Sequence, residues 1–475
     1  MKRLNPKLNI VCGTPRLVPP SPEIIAAIRN EFVRKWKGTG ITFHQFLMAN
    51  GYQNPAHDLH GMDDNFASRI GDAGPELIEL PKTALTGDVN VMVLLVDFPD
   101  LEGKLSRDHY EELLFSEGTY ITGSMADYYS EVSRGKVRVR GNVHGWFRMP
   151  RNYSYYTNGN SGLLDKYNKE HYPRDARRLA EDAIDVALAE GVSFPPALDA
   201  LNNGTVAALF IVHAGRGAEK LAPILRGNHI WSHKWALKKP KKVNQDLWAT
   251  TYLTVPQEAL LGVCVHELGH LAFQWQDFYD PNYDQDGDHW DGNGMWDVMA
   301  SGSYAGRELR PVHPAGFHKT FHKWIEVEEI GASVKGVQIH PVTRENGKVI
   351  KVRSNRYKKG QYLILENREK SLFDGDLPGE GLLVWRVDES AEQEGSRTPG
   401  MYLLQADGRH DLLNADDGNQ GDPGDPFPGS AARTSLGETG EVSTSFPDEG
   451  PSGVTFSNIG HDPVSKVISL DISIA

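Results

Sequence analysis

The sequence predicts a mixed α/β (α+β) domain over residues 88–332, preceded by a leader over 1–87 and followed by an all-β sandwich over 333–475. Three observations predict this order. Asn90–Phe98 and Val206–His213 are apolar runs of buried-strand length. Arg174–Glu190 and Pro256–Phe273 instead carry apolar residues at helical spacing, and strands mixed with helices define a mixed domain. Beyond about residue 335 the pattern turns to short alternating strands separated by Gly/Asp/Pro-rich turns, the signal of a sandwich.

Each element follows in order. In the leader, Pro19–Glu23 starts a short helix with Ser21 as N-cap and Pro22 at its first position. His57–Gly74 is polar, Gly/Asp-rich and aperiodic, a loop or linker. Asn90–Phe98 is a buried strand, Ser124–Val132 a helix and Gly135–Phe147 a hairpin-like pair. Val206–His213 is a second buried strand, closed by the turn Ala214–Gly217. The β region is expected to hold Gly336–Pro341, Val349–Val352, Gln361–Glu366, Gly381–Val387, Gly400–Gln405, Val454–Ile459 and Val467–Ile474.

The chain has 475 residues, more than one compact core accommodates. Its net charge of -13 argues against nucleic acid and against an anionic membrane surface as partners. No apolar run is long enough to insert into a bilayer. The first thirty residues hold no apolar signal-peptide core. Two cysteines, Cys12 and Cys264, make no disulfide framework. The expected state is a monomer.

The chemistry centres on His266-Glu267-Leu268-Gly269-His270 inside an apolar helical stretch. Two histidines four apart lie on one helix face, so both imidazoles reach one metal, and zinc is the metal expected. Glu267, beside the first ligand, is placed as general base toward a metal-activated water. A catalytic zinc needs a third protein ligand, and Asp277 is the candidate, with Asp280 its rival. On an unbroken helix Asp277 would sit about 10 Å beyond His270, so the chain must turn back after His270. Metzincin-type zinc proteases place a glycine at that turn and a ligand one residue earlier, at Gln276. Here Phe273-Gln274 stands at the turn. Met299, in Trp296–Ser303, resembles the methionine turn that floors such sites. A gluzincin-type site would instead take a distant glutamate, for which Glu308 is the weak candidate.

Further groups are singled out. Asp280, Asp284, Asp286, Asp288 and Asp291 form one acidic, glycine-containing run and Asp416, Asp422 and Asp425 belong to a second; alternate carboxylates can wrap calcium. Cys12, in Val11-Cys12-Gly13, is a candidate latency switch whose thiolate would take the open zinc position, with a disulfide to Cys264 as an alternative. His213 and His233 stay without an assigned role.

Taken together, Leu94–Asp100, Tyr128–Lys136, Ile211–Gly215, Ile230–Lys234, the His266–Asp280 stretch, Trp296–Ser303, Glu366–Arg368, Gly381–Asp388 and Gln405–Gly408 resemble the immune inhibitor A-like secreted metalloproteases of bacteria. The resemblance implies a zincin-like catalytic domain with an N-terminal propeptide and a C-terminal β region. It also implies export from the cell and zinc-dependent cleavage of protein or peptide substrates, with His266, His270 and Asp277 as ligands and Glu267 as base. A zincin-like scaffold that has lost catalysis and serves adhesion or carbohydrate binding is the alternative.

Overall fold

The structure is a computed structural model that describes residues 15–49, 83–164, 171–279, 291–389, 400–413, 419–447 and 449–475. Its first sheet contains β1 (Arg16–Leu17), β2 (Gly87–Asp97), β3 (Val137–Arg148), β4 (Leu209–His213), β5 (His233–Lys242) and β6 (Trp248–Pro256), in the order β1-β5-β6-β4-β2-β3. β3, β2, β4 and β6 run parallel; β5 is antiparallel to β6, and β1 is antiparallel to β5. The apolar runs read as buried strands are β2 and β4, at the centre of this sheet, and every residue of β4 is buried.

The pair expected over Gly135–Phe147 is one continuous strand, β3, laddered along β2. Its two glycines are not turns. A Cβ at Gly141 would lie 2.5 Å from the Val91 carbonyl oxygen, and Gly145, at φ +111°, sits where the ladder shifts register between Leu94 and Val96. A glycine inside a strand marks a bulge or a close backbone approach as readily as a turn.

The Arg174–Glu190 expectation corresponds to a helix at Ala176–Ala189, whose N-cap Asp175 accepts from the Arg178 N–H. Met125–Val132 is helical behind a reciprocal Ser124/Asp127 capping box. The leader helix Pro22–Lys35 begins with proline in its first turn, as expected. The expected helix at Pro256–Phe273 is shorter, Leu261–Leu271, because Trp248–Pro256 is β6. All eleven of its residues are buried.

Beyond residue 325 lie β7 (Glu326–Ile330), β8 (Val334–Ile339), β9 (Lys348–Val352), β10 (Gln361–Arg368), β11 (Gly381–Asp388), β12 (Met401–Leu403), β13 (Val454–His461) and β14 (Ile468–Ile474). They form a five-stranded sheet, β12-β11-β10-β9-β7, and a three-stranded sheet, β13-β14-β8. Leu363, Leu365, Leu382 and Val384 of the larger sheet share an apolar cluster with Phe456, Leu470 and Ile472 of the smaller one. The alternate residues Tyr362, Ile364, Leu383 and Trp385 face the other way, into the cluster that also contains the metal helix. The larger sheet is therefore covered on both faces, as the period-2 geometry of a strand allows. Among the described residues no helix is long and apolar enough to cross a membrane.

Candidate metal centre

His266 and His270 sit one turn apart on the buried helix. The Nδ1–H of His266 donates to the Val298 carbonyl at 2.8 Å, and that of His270 to the Trp275 carbonyl at 2.7 Å. With both Nδ1 protons so placed, the two Nε2 atoms are lone pairs, and they point at each other across 3.1 Å. Asp277 brings a third unprotonated donor, its Oδ1 lying 3.0 Å from His270 Nε2 and 3.2 Å from His266 Nε2.

Three buried electron pairs at this spacing repel one another unless a cation lies between them. Ligands about 2.0–2.1 Å from a tetrahedral zinc stand about 3.3 Å apart, so the donor set fits zinc in both chemistry and spacing. Burial pushes the Asp277 acid upward, but protonation of His270 or His266 outweighs it and holds the acid well below the ordinary carboxylate range. Burial likewise pushes the His270 imidazolium down to about 4. The second oxygen of Asp277 is buried without a hydrogen bond, as are both oxygens of Glu267. Burial, then the charge of Asp277, raises the Glu267 acid well above its ordinary range.

The required turn is present. The helix ends at Leu271, and Gln274 adopts φ 58°, the left-handed conformation a glycine would take there. Trp275 N–H then donates back to the Gly269 carbonyl at 3.1 Å, which returns Asp277 to the histidines. Met299 is fully buried against the same helix: a Cβ at Gly269 would lie 2.9 Å from its sulfur and 2.8 Å from the Trp275 ring. Asp297 holds this turn, accepting from Met299 N–H at 3.0 Å and Asn293 Nδ2 at 2.9 Å, with His318 Nε2 3.5 Å away. Asp297, His318 and Trp275 were not singled out in the sequence, where no spacing marks a residue that acts through another's backbone.

Glu308 does not enter this centre. It accepts from Leu260 N–H at 2.8 Å, at the start of the metal helix, and pairs with Lys220 at 2.5 Å. Cys264 is a free, buried thiol whose pKa is raised, chiefly by burial. His213 and His233 are buried; His233 Nδ1–H donates to the Trp231 carbonyl at 2.6 Å and its Nε2 lies 2.9 Å from the Tyr252 hydroxyl. Asp280, Asp284, Asp286, Asp288, Asp416 and Cys12 lie outside the described residues. Asp291 is engaged by Arg29 of the leader helix at 2.8 Å. Asp422 and Asp425 gather with Asp407 within 4.8 Å of one another.

The N-terminal segment adds a short strand to the edge of the first sheet. Arg16 and Leu17 pair with Lys234 and His233 at the open edge of β5. Val18 N–H donates to the Ser232 carbonyl at 3.3 Å, Trp231 Nε1–H to the Val18 carbonyl at 2.9 Å, and the Tyr304 hydroxyl to the Pro19 carbonyl at 2.6 Å. Arg16 and His270 line one cavity of about 250 Å³.

A mixed sheet, a buried helix carrying both histidines and the glutamate, and a buried methionine packed on that helix make this a candidate metal centre. The catalytic-domain profile of the family described as immune inhibitor A peptidase M6 matches residues 82–333, more than half of the chain, and the chain belongs to that family. Among its relatives, Pre-pro-metalloprotease PrtV of Vibrio cholerae serotype O1 is 31% identical, over 50% of this chain and 31% of that protein. Immune inhibitor A of Bacillus thuringiensis subsp. alesti is 27% identical, over 52% of this chain and 42% of that protein. The chain thus spans less than half the length of either. Zinc is the metal that the family and the two histidines imply.

Proposed function

We propose that this chain is a zinc endopeptidase held latent by its own leader. The convergence of His266, His270 and Asp277 as three proton-free donors beside a buried, unpaired Glu267 carries the reading. Zinc, when bound by these three residues, supplies Lewis acidity toward water and toward the scissile carbonyl. Glu267 takes the proton of the attacking water and delivers it to the departing amine. A protein substrate lies along the edge of β5, where main-chain pairing accepts a peptide of any sequence. The leader strand β1 occupies that edge, which supports latency by occlusion. On this reading residues 88–332 are a zincin-like catalytic domain and residues 333–475 a β-sandwich, in an exported, monomeric protein.

Calcium at Asp407, Asp422 and Asp425 belongs to the same proposal. Oxygen ligands suit that ion. Asp407 Oδ2 accepts no hydrogen bond and meets only Arg409 Nε at 3.5 Å, and burial pushes the Asp425 acid up to about 6.

Glu267→Ala tests the base. Wild type is expected to cleave unfolded casein once its leader is cut, and Glu267→Ala to keep one zinc per chain while losing about 10³-fold or more in rate. Equal turnover by the variant would remove Glu267 from the mechanism.

A further inference from the structure

One peptide bond of the N-terminal segment, Leu17–Val18, is held on its carbonyl side by a buried phenol close in sequence to Asp277. The Leu17 carbonyl accepts a hydrogen bond from the Tyr279 hydroxyl, a buried phenol two residues beyond Asp277. On the other side of the same peptide bond, Val18 N–H donates to the Ser232 carbonyl at 3.3 Å. Leu17 and Val18 are both buried, and the strand runs antiparallel to β5. The carbonyl oxygen is thus met by a hydroxyl donor while the amide N–H is held by the chain segment that leads into β5.

We infer that the Tyr279 hydroxyl binds the oxyanion of the peptidase reaction and that Leu17–Val18 marks where a substrate's scissile bond lies. This rests on the peptidase reading above. As water adds to the carbonyl carbon, a C–O bond forms and the carbonyl π pair moves onto the oxygen. The Tyr279 O–H, which stays protonated, donates to that oxyanion, and Glu267 holds the water's proton. When the C–N bond breaks, the electron pair returns to re-form the carbonyl and the amine leaves with the proton from Glu267. A donor that strengthens its bond as charge develops accelerates the step, whereas one that binds ground state and transition state equally does not.

The substrate subsites follow. The residue before the cut bond takes the Leu17 place opposite His233, and the residue after it takes the Val18 place, its carbonyl received by Trp231 Nε1–H. The cavity shared by Arg16, Lys234, His270 and Gln276 extends the groove on the amino side of the bond.

The test uses the full zinc-loaded chain with Tyr279→Phe, which keeps the ring. Two ligands of the sequence Arg-Leu-Val-Pro are compared, one an intact peptide bound by the Glu267→Ala form, the other its phosphinic analogue, whose tetrahedral phosphorus copies the addition intermediate. The leader competes with both ligands, so their affinity ratio cancels any change in leader docking. Tyr279→Phe is expected to weaken the phosphinic ligand ~100-fold relative to the intact peptide and to lower kcat on an unfolded substrate by a similar factor, with zinc content unchanged. An unchanged ratio would overturn the inference, whatever happens to turnover. A wild type that stays without turnover after its leader is cut, and whose ratio still depends on Tyr279, would sink the peptidase reading and leave the carbonyl-binding role standing.

Discussion

Leu17→Asp should switch the full-length chain on. Leu17 is 3% exposed and lies in the main apolar cluster, while its backbone pairs with His233. Removing a buried leucine side chain forfeits about 2 kcal/mol of apolar burial. Placing a polar group at the same buried position adds about 1–3 kcal/mol of desolvation, more if it stays ionised. The closed state is therefore weakened by roughly 3–5 kcal/mol, a factor of about 10² to 4 × 10³ in the ratio of open to closed chains at 1.4 kcal/mol per tenfold. The assay is hydrolysis of a fluorogenic peptide by zinc-loaded, uncut protein at substrate well below KM, with a Leu17→Asp/Glu267→Ala double variant as blank. Turnover should rise with the open fraction until open chains predominate, while the thermal midpoint of the rest of the molecule stays within a few degrees of wild type. Wild-type and Leu17→Asp chains of equal activity would refute occlusion by this strand.

Three further outcomes are expected. His213 and His233 are pushed down by burial to about 4 and about 3, so the unfolded chain binds protons before the folded one as pH falls below 6.5. The urea midpoint of the metal-free protein should therefore fall steadily from pH 6.5 to about 4, each histidine contributing up to about 1.4 kcal/mol per pH unit, and a flat midpoint from pH 6.5 to 5 would contradict their neutral burial. Arg368 of β10 is fully buried, pairs with Asp374 at 2.5 Å and donates to the Trp296 carbonyl at 3.1 Å, so it ties the five-stranded sheet to the methionine turn. Arg368→Ala should cost about 3–5 kcal/mol in denaturant unfolding, because it leaves a buried carboxylate unpaired, and a loss below 1 kcal/mol would show the pair to be replaceable. Chelation followed by zinc alone should leave the thermal midpoint below that of untreated protein, and added calcium should restore it; full recovery with zinc alone would remove the calcium site.

How much of this was legible beforehand varies with the kind of information each residue carries. The metal helix could be read because spacing alone puts His266 and His270 on one face. Asp277 was a candidate only on condition that the chain turn back after His270, and Gln274 supplies such a turn at φ 58° without the glycine that usually marks it. Gly141 and Gly145 misled, since glycine permits a tight backbone approach as well as a turn, and only the neighbouring strand decides which. The expectation of a helix from Pro256 failed at its start because Trp248–Pro256 is a strand, paired in a hairpin with β5 and in parallel with the more distant β4. The placement of β1 on β5, and with it the contacts of Tyr279 and Trp231 with the leader, joins segments more than two hundred residues apart; a two-residue strand has no periodicity to announce it.

The account turns on the metal centre, and X-ray absorption at the zinc edge of the loaded, full-length protein tests that centre most directly. Its first shell should hold two imidazole nitrogens at about 2.0–2.1 Å and carboxylate or solvent oxygen at about 2.0–2.2 Å, with Asp277→Asn altering the oxygen contribution and Glu267→Ala leaving the shell intact. A sulfur scatterer at about 2.3 Å would place a thiolate, with Cys12 the candidate, on the zinc and contradict latency by strand occlusion alone; a shell that does not change in His266→Ala or Asp277→Asn would contradict the centre itself.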